Sequence, residues 1–126
     1  MIEKDDTMKL AITAQGDKAT DAVDPRFGRA RYLIVVNTDT GDCAAHDNTV
    51  NLNAAQGAGI QTARNVAELG VEAVITGNVG PNAFKTLNAA GIQIYLAGQQ
   101  TVQEAVELFK KSELKQVSAA NVEGHW

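Results

Sequence analysis

The stretch Asp24-Pro25-Arg26-Phe27-Gly28-Arg29 sets two guanidiniums three residues apart, with an aromatic ring and a glycine between them. Arginine presents a planar fork of donors matched to oxyanions, so these residues have the chemistry of an anion-accepting loop. The alternative is a solvated loop in which an arginine pairs with Asp24, a contact that contributes little at a surface. Phe27 fits either a core plug or a lid over an apolar ligand face. Two glycine-bearing stretches follow. Gln56-Gly57-Ala58-Gly59 stands at a helix start, and Thr76-Gly77-Asn78-Val79-Gly80-Pro81 joins a strand pattern to another helix. Their glycines serve either close approach of backbone to a ligand or tight helix–sheet packing. Cys43 and His46 are the soft and nitrogen donors that a metal could use near the same edge, although a lone cysteine or histidine is more often structural. His125 falls in a polar tail.

Recognisable catalytic machinery is missing. The sequence has no nucleophile elbow, no HExxH and no Walker loop, and its GxxG at Gly77–Gly80 lacks the lysine of phosphate transfer. A formal charge of -4 argues against a general nucleic-acid binder, which needs a basic face. One cysteine excludes an internal disulfide and a CxxC knuckle. No apolar run approaches a membrane span, and no signal peptide or lipidation motif is present, which predicts a cytoplasmic protein.

The elements that must position these residues follow from apolar patterning. With 126 residues and only 5% aromatics, the chain suits a single α/β domain with small side chains at its layer contacts. Residues 1–7 are polar and aperiodic and read as a disordered leader; 8–114 reads as the domain and 115–126 as a loose tail. Lys9 to Ala14 predicts the first strand, Tyr32 to Val36 a buried second strand, and Cys43 to Asp47 a third that closes a hairpin over Asp39-Thr40-Gly41. Asn53 with Gln56 has capping-box spacing for a first helix with Ile60, Ala63 and Ala67 on one face and Gly70 at its end. Val71 to Thr76 is a fourth strand, Pro81 opens a second helix with Phe84 and Leu87 inward, and Ile92 to Leu96 is a fifth strand. Thr101 and Glu104 cap a third helix with Val102, Ala105, Val106 and Phe109 on its apolar face. The sequences leading into strands four and five repeat at an offset of 21 residues, as successive αβ units, and right-handed crossovers make those strands parallel.

With strands one, three, four and five running the same way, one edge of the sheet collects the arginine loop, the residues after His46, both glycine-bearing stretches and two helix N-termini. Ligands of open α/β sheets bind at such an edge, and helix N-termini favour anions. Three antiparallel strands followed by αβ units is the ribonuclease-H-like arrangement. A nuclease of that type needs carboxylates on the sheet, and Leu10-Ala11-Ile12-Thr13-Ala14 has none.

The first strand with Asp24-Pro25-Arg26-Phe27-Gly28-Arg29-Ala30, then Gly57-Ala58-Gly59-Ile60-Gln61-Thr62-Ala63, then Val74-Ile75-Thr76-Gly77-Asn78-Val79-Gly80-Pro81-Asn82-Ala83-Phe84 together resemble the dinitrogenase iron–molybdenum cofactor family over about Met8 to Leu114. The resemblance implies a ribonuclease-H-like mixed sheet of five strands, order 3-2-1-4-5 with strand two antiparallel, flanked by helices. It implies a carrier or scaffold and not an enzyme, holding an anionic metal–sulfide cluster. Within the family the likeness is to members with a molybdenum–copper sulfide cluster, ahead of iron–molybdenum or iron–sulfur types. It implies that Arg26, Phe27, Gly28, Arg29, Gly57, Gly59, Gly77, Asn78, Gly80 and Pro81 line the site. Some relatives carry histidine or cysteine where this chain has Gln56, so the implied hold is non-covalent, with Cys43 and His46 the remaining candidates for metal. Expected partners are cofactor-assembly or recipient proteins, with neither nucleic acid nor membrane, and the chain is expected as a monomer or weak dimer. The competing readings are a phosphate- or nucleotide-binding regulatory domain and a pure interaction module.

Overall fold

β1, Lys9–Ala14, is buried from its second residue onward and lies inside the sheet. The computed structural model describes residues 8–48 and 58–118. Within them β1 is followed by a 3-10 turn (Phe27–Arg29), β2 (Tyr32–Asn37), β3 (Cys43–Asp47), α1 (Ala58–Glu68), β4 (Ala73–Thr76), α2 (Pro81–Ala89), β5 (Gln93–Leu96), α3 (Val102–Lys110) and β6 (Lys115–Val117). The sheet order is β3-β2-β1-β4-β5-β6. β2 runs antiparallel to both β1 and β3, whereas β4 is parallel to β1 and β5 to β4. The α/β layering and the mixed sheet match the sequence expectation.

The period of two along each strand sorts the core into two layers. Leu10, Ile12 and Ala14 turn to one face, where with Ile34, Val36 and Ile75 they meet Val102, Ala105 and Val106 of α3. Ala11 turns to the other, where with Leu33, Val74 and Ile94 it meets Ala63 and Val66 of α1 and Ala83 and Leu87 of α2. Helices as short as α2 and α3 are marginal alone, so this tertiary burial is what holds them. The capping box forms at α3: Glu104 N donates to Thr101 Oγ1 and Thr101 N to Glu104 Oε1, at 3.2 and 2.9 Å.

Two expectations are corrected. The sheet has a sixth strand: Lys115–Val117 pairs antiparallel with β5, Ile94 opposite Val117, where a loose tail was expected. The exposed edge of β5 supplies backbone partners that a three-residue polar run does not advertise. On α1 the buried stripe is Thr62, Ala63 and Val66, while Ala67 is exposed, so the helix is rotated from the expected face. Val66 has more apolar surface to hide than Ala67, and that decides the rotation. The expected cap at Asn53 and Gln56 lies outside the described residues.

The β2–β3 hairpin closes on a bulged turn. Asn37 N donates to the Asp42 carbonyl at 2.9 Å and Gly41 N to the Asn37 carbonyl at 2.8 Å. Gly41 takes φ +82, a conformation that costs glycine little. No helix among the described residues is long and apolar enough to cross a membrane.

Candidate functional site

β1 and β4 lie side by side, and Thr13 and Thr76 at their carboxyl ends are both fully buried. Thr13 Oγ1 lies 2.7 Å from the Asp24 carbonyl oxygen and 2.8 Å from Thr76 Oγ1, while Thr76 Oγ1 is 3.5 Å from that carbonyl. Each hydroxyl has one proton. The short bond to Asp24 therefore uses the proton of Thr13, and the contact between hydroxyls is filled by the proton of Thr76. Asp24 N also donates to the Thr13 carbonyl at 2.8 Å, so the arginine loop starts from a buried anchor.

From that anchor the loop is stitched across to the turn after β4. Asn78 Nδ2 donates to the Pro25 carbonyl at 3.0 Å, and Phe27 N donates to the Asn78 carbonyl at 3.3 Å. Arg26 and Asn78 form a parallel bridge. Gly77 permits this approach: a Cβ there would lie 2.6 Å from Pro25 Cα. Phe27 is 1% exposed and sits in the core layer with α1 and α2, so it is a plug and not a lid. Gly28 is buried, and the 3-10 turn packs against α1, which begins next to Gly59. Gly57 lies outside the described residues. Behind the turn, buried Asn48 donates through Nδ2 to the Ala30 carbonyl at 2.9 Å and to Thr62 Oγ1 at 3.2 Å. The loop is thus held at both ends by buried polar side chains.

The charges divide by depth. The Asp24 side chain is 3% exposed and accepts the Arg26 backbone N–H through Oδ1 at 2.9 Å. The Arg26 guanidinium reaches the same oxygen through Nε at 3.5 Å, and the Arg26 side chain remains 47% exposed. Next to this, Pro81 occupies the first turn of α2 behind Gly80, and no side chain caps the helix. The amides of Asn82 and Ala83 have no intrahelical carbonyl to bond, as at any helix start. α3 differs. Its Val102 and Gln103 amides donate to the carbonyls of Asp21 and Ala19 at 2.9 Å each, so the chain itself fills that N-terminus.

Arg26, Phe27, Gly28, Arg29, Gly77, Asn78, Gly80 and Pro81 therefore meet at one edge, with Gly59 in the adjoining first turn of α1. Cys43 is not brought there, and His46 is level with Thr13 through Leu33 but stands two strands to the side. Cys43 opens β3 at the far end of the sheet, opposite Val36 on the α3 face, with Sγ 3.5 Å from the Gly41 carbonyl oxygen. His46 stands opposite Leu33, whose layer is that of α1, so the two side chains leave β3 on opposite faces. Among the described residues no three His, Cys, Asp or Glu side chains gather as a metal-holding group. The donors at the edge are N–H groups and guanidinium, a set that fits a polyanion held by its outer atoms. Sequence reasoning missed Thr13, Thr76, Asn48 and Thr62; their only signal was a polar residue inside or bounding an apolar run.

Comparison with known proteins finds the same fold and a family. The dinitrogenase iron-molybdenum cofactor family model matches residues 8–112. The apo form of the orange protein from Desulfovibrio gigas aligns with a TM-score of 0.89 at 36% identity, covering 91% of this chain and 97% of that one. A candidate NifB protein from Thermotoga aligns with a TM-score of 0.81, also at 36% identity, covering 93% and 99%. An uncharacterised protein of Methanocaldococcus jannaschii is 28% identical over 110 residues, 86% of this chain and 90% of that protein. With the family signature running from β1 to the turn after α3, the chain belongs to the dinitrogenase iron-molybdenum cofactor family.

Proposed function

We propose that this protein is a carrier or scaffold, not a catalyst, that binds an anionic metal–sulfide cluster non-covalently at the edge formed by the arginine loop and the start of α2. The cluster is cargo, of molybdenum–copper type by likeness to the orange protein or of iron–molybdenum type by family. One observation carries the reading: the stitching of Pro25, Arg26 and Phe27 to Gly77 and Asn78, which brings the loop of a half-exposed arginine to the turn that leads into an uncapped helix N-terminus. Thiometallates are bulky, soft anions. Guanidinium and N–H donors hold their sulfur and oxo atoms without displacing them from the metal, so the cargo stays intact for release. Recipient or assembly proteins would take it from this open edge.

Anaerobic incubation with tetrathiomolybdate and copper(I), then desalting and elemental analysis, tests the proposal. The wild-type chain should retain molybdenum and copper in stoichiometric amounts. Arg26→Ala with Arg29→Ala should keep the fold and lower retention roughly tenfold or more, from the loss of two charge-assisted contacts. Equal retention by the double variant would place the cargo elsewhere. Thermal protection by phosphate or a nucleotide, with no metal taken up, would favour a phosphate-binding regulatory domain.

A further inference from the structure

β3 is one outer strand of the sheet, and its residues pair in unbroken register with β2. Hydrogen bonds at its two ends fix which backbone groups look outward. Asn37 N donates to the Asp42 carbonyl, and Asn48 N donates to the Arg31 carbonyl at 2.8 Å, so both of these pairs are of the hydrogen-bonded kind. Alternation along an antiparallel ladder then directs the N–H and C=O groups of Ala44 and His46 inward to β2, and those of Cys43 and Ala45 out of the sheet. Cys43–Asp47 carries no proline, lysine or bulge, the devices that normally blunt an edge. Every residue of the strand except His46 is exposed.

We propose that β3 is a self-association edge, and that two copies pair antiparallel about a two-fold axis at Ala44. In this register Cys43 of each copy lies opposite Ala45 of the other, and their outward N–H and C=O groups bond one another in both directions. Ala44 meets Ala44, so the centre is free of bulk. His46 falls opposite Asp42 of the second copy, twice by symmetry, at the non-hydrogen-bonded positions where side chains lie closest. Both side chains turn to the α1 face, because Asp42, Ala44 and His46 line one hollow there with Val35 and Leu69. Neighbouring registers lack this match. An axis at Ala45 sets His46 against alanine, and one at Cys43 sets Asp47 against Asp39. The interface is independent of the cargo reading.

Analytical ultracentrifugation of the full chain, from low-micromolar to near-millimolar concentration, tests it. Wild type should form a dimer that dissociates on dilution. His46→Asp sets two like-charged pairs across the axis and should weaken the dimer roughly tenfold or more, with an unchanged circular dichroism spectrum. Adding Asp42→Lys to His46→Asp reverses the pair and should restore association. A wild-type chain monomeric at every concentration, a folded His46→Asp variant that dimerises as tightly as wild type, or a folded swap that stays monomeric would each overturn the proposal.

Discussion

Thr13 and Thr76 have a larger part in the site than their residue type suggests. The geometry gives them unequal duties: Thr13 donates to the Asp24 carbonyl at 2.7 Å, whereas Thr76 donates to Thr13. Thr13→Val keeps the shape but leaves the buried Asp24 carbonyl with only a 3.5 Å neighbour. It should cost about 1–3 kcal/mol, the usual penalty for a buried acceptor stripped of its donor. Thr76→Val leaves the short bond intact and should cost less. Urea unfolding of the two variants checks the order, and a larger loss for Thr76→Val would reverse the donor assignment. None of this was legible in the sequence, because threonine is ordinary in strands and nothing marks a hydroxyl pair 63 residues apart. The arginines were legible, since their chemistry is local to their own side chains. The burial of Asp24 was not, since that depends on where its carbonyl is held.

At the scale of elements, the site is a junction between two loops that belong to different strands. Gly77 is the hinge of that junction, because a side chain there would meet the Pro25 backbone and not a flexible tip. Gly77→Ala should therefore push the arginine loop away from Asn78, lowering stability by about 1–3 kcal/mol as overpacking does. It should also weaken cluster retention, read by the same desalting assay as for the arginine pair. A variant with native stability and native retention would show that the two loops can part without consequence. Glycine at this place was readable from sequence as a close approach, but its neighbour Pro25 was not. The strands were readable wherever an apolar run or a glycine-ended αβ repeat marked them. β6 was not, because Lys115–Val117 is a strand by virtue of what β5 offers it. The face of α1 was misread for a related reason, since Ala63 is compatible with either rotation and the sheet chooses Val66.

Across the whole molecule, α2 and α3, like α1, start at the edge proposed for the cargo, and these two do so under opposite circumstances. The first-turn amides of α3 are occupied by Asp21, Ala19 and the Thr101 hydroxyl, and those of α2 have no side-chain cap. Amide hydrogen exchange should report this directly. Val102 and Gln103 should exchange only with the larger openings of the fold, although they open a helix, while Asn82 and Ala83 should exchange quickly in the free protein and slow when a thiometallate is bound. Unchanged exchange at Asn82 and Ala83 on loading would separate α2 from the cargo. The filled start of α3 thus acts as a form of address. On the proposed function, a visiting anion would find the start of α3 already answered by the protein's own carbonyls, and would be directed elsewhere along the edge, to α2, by being refused there.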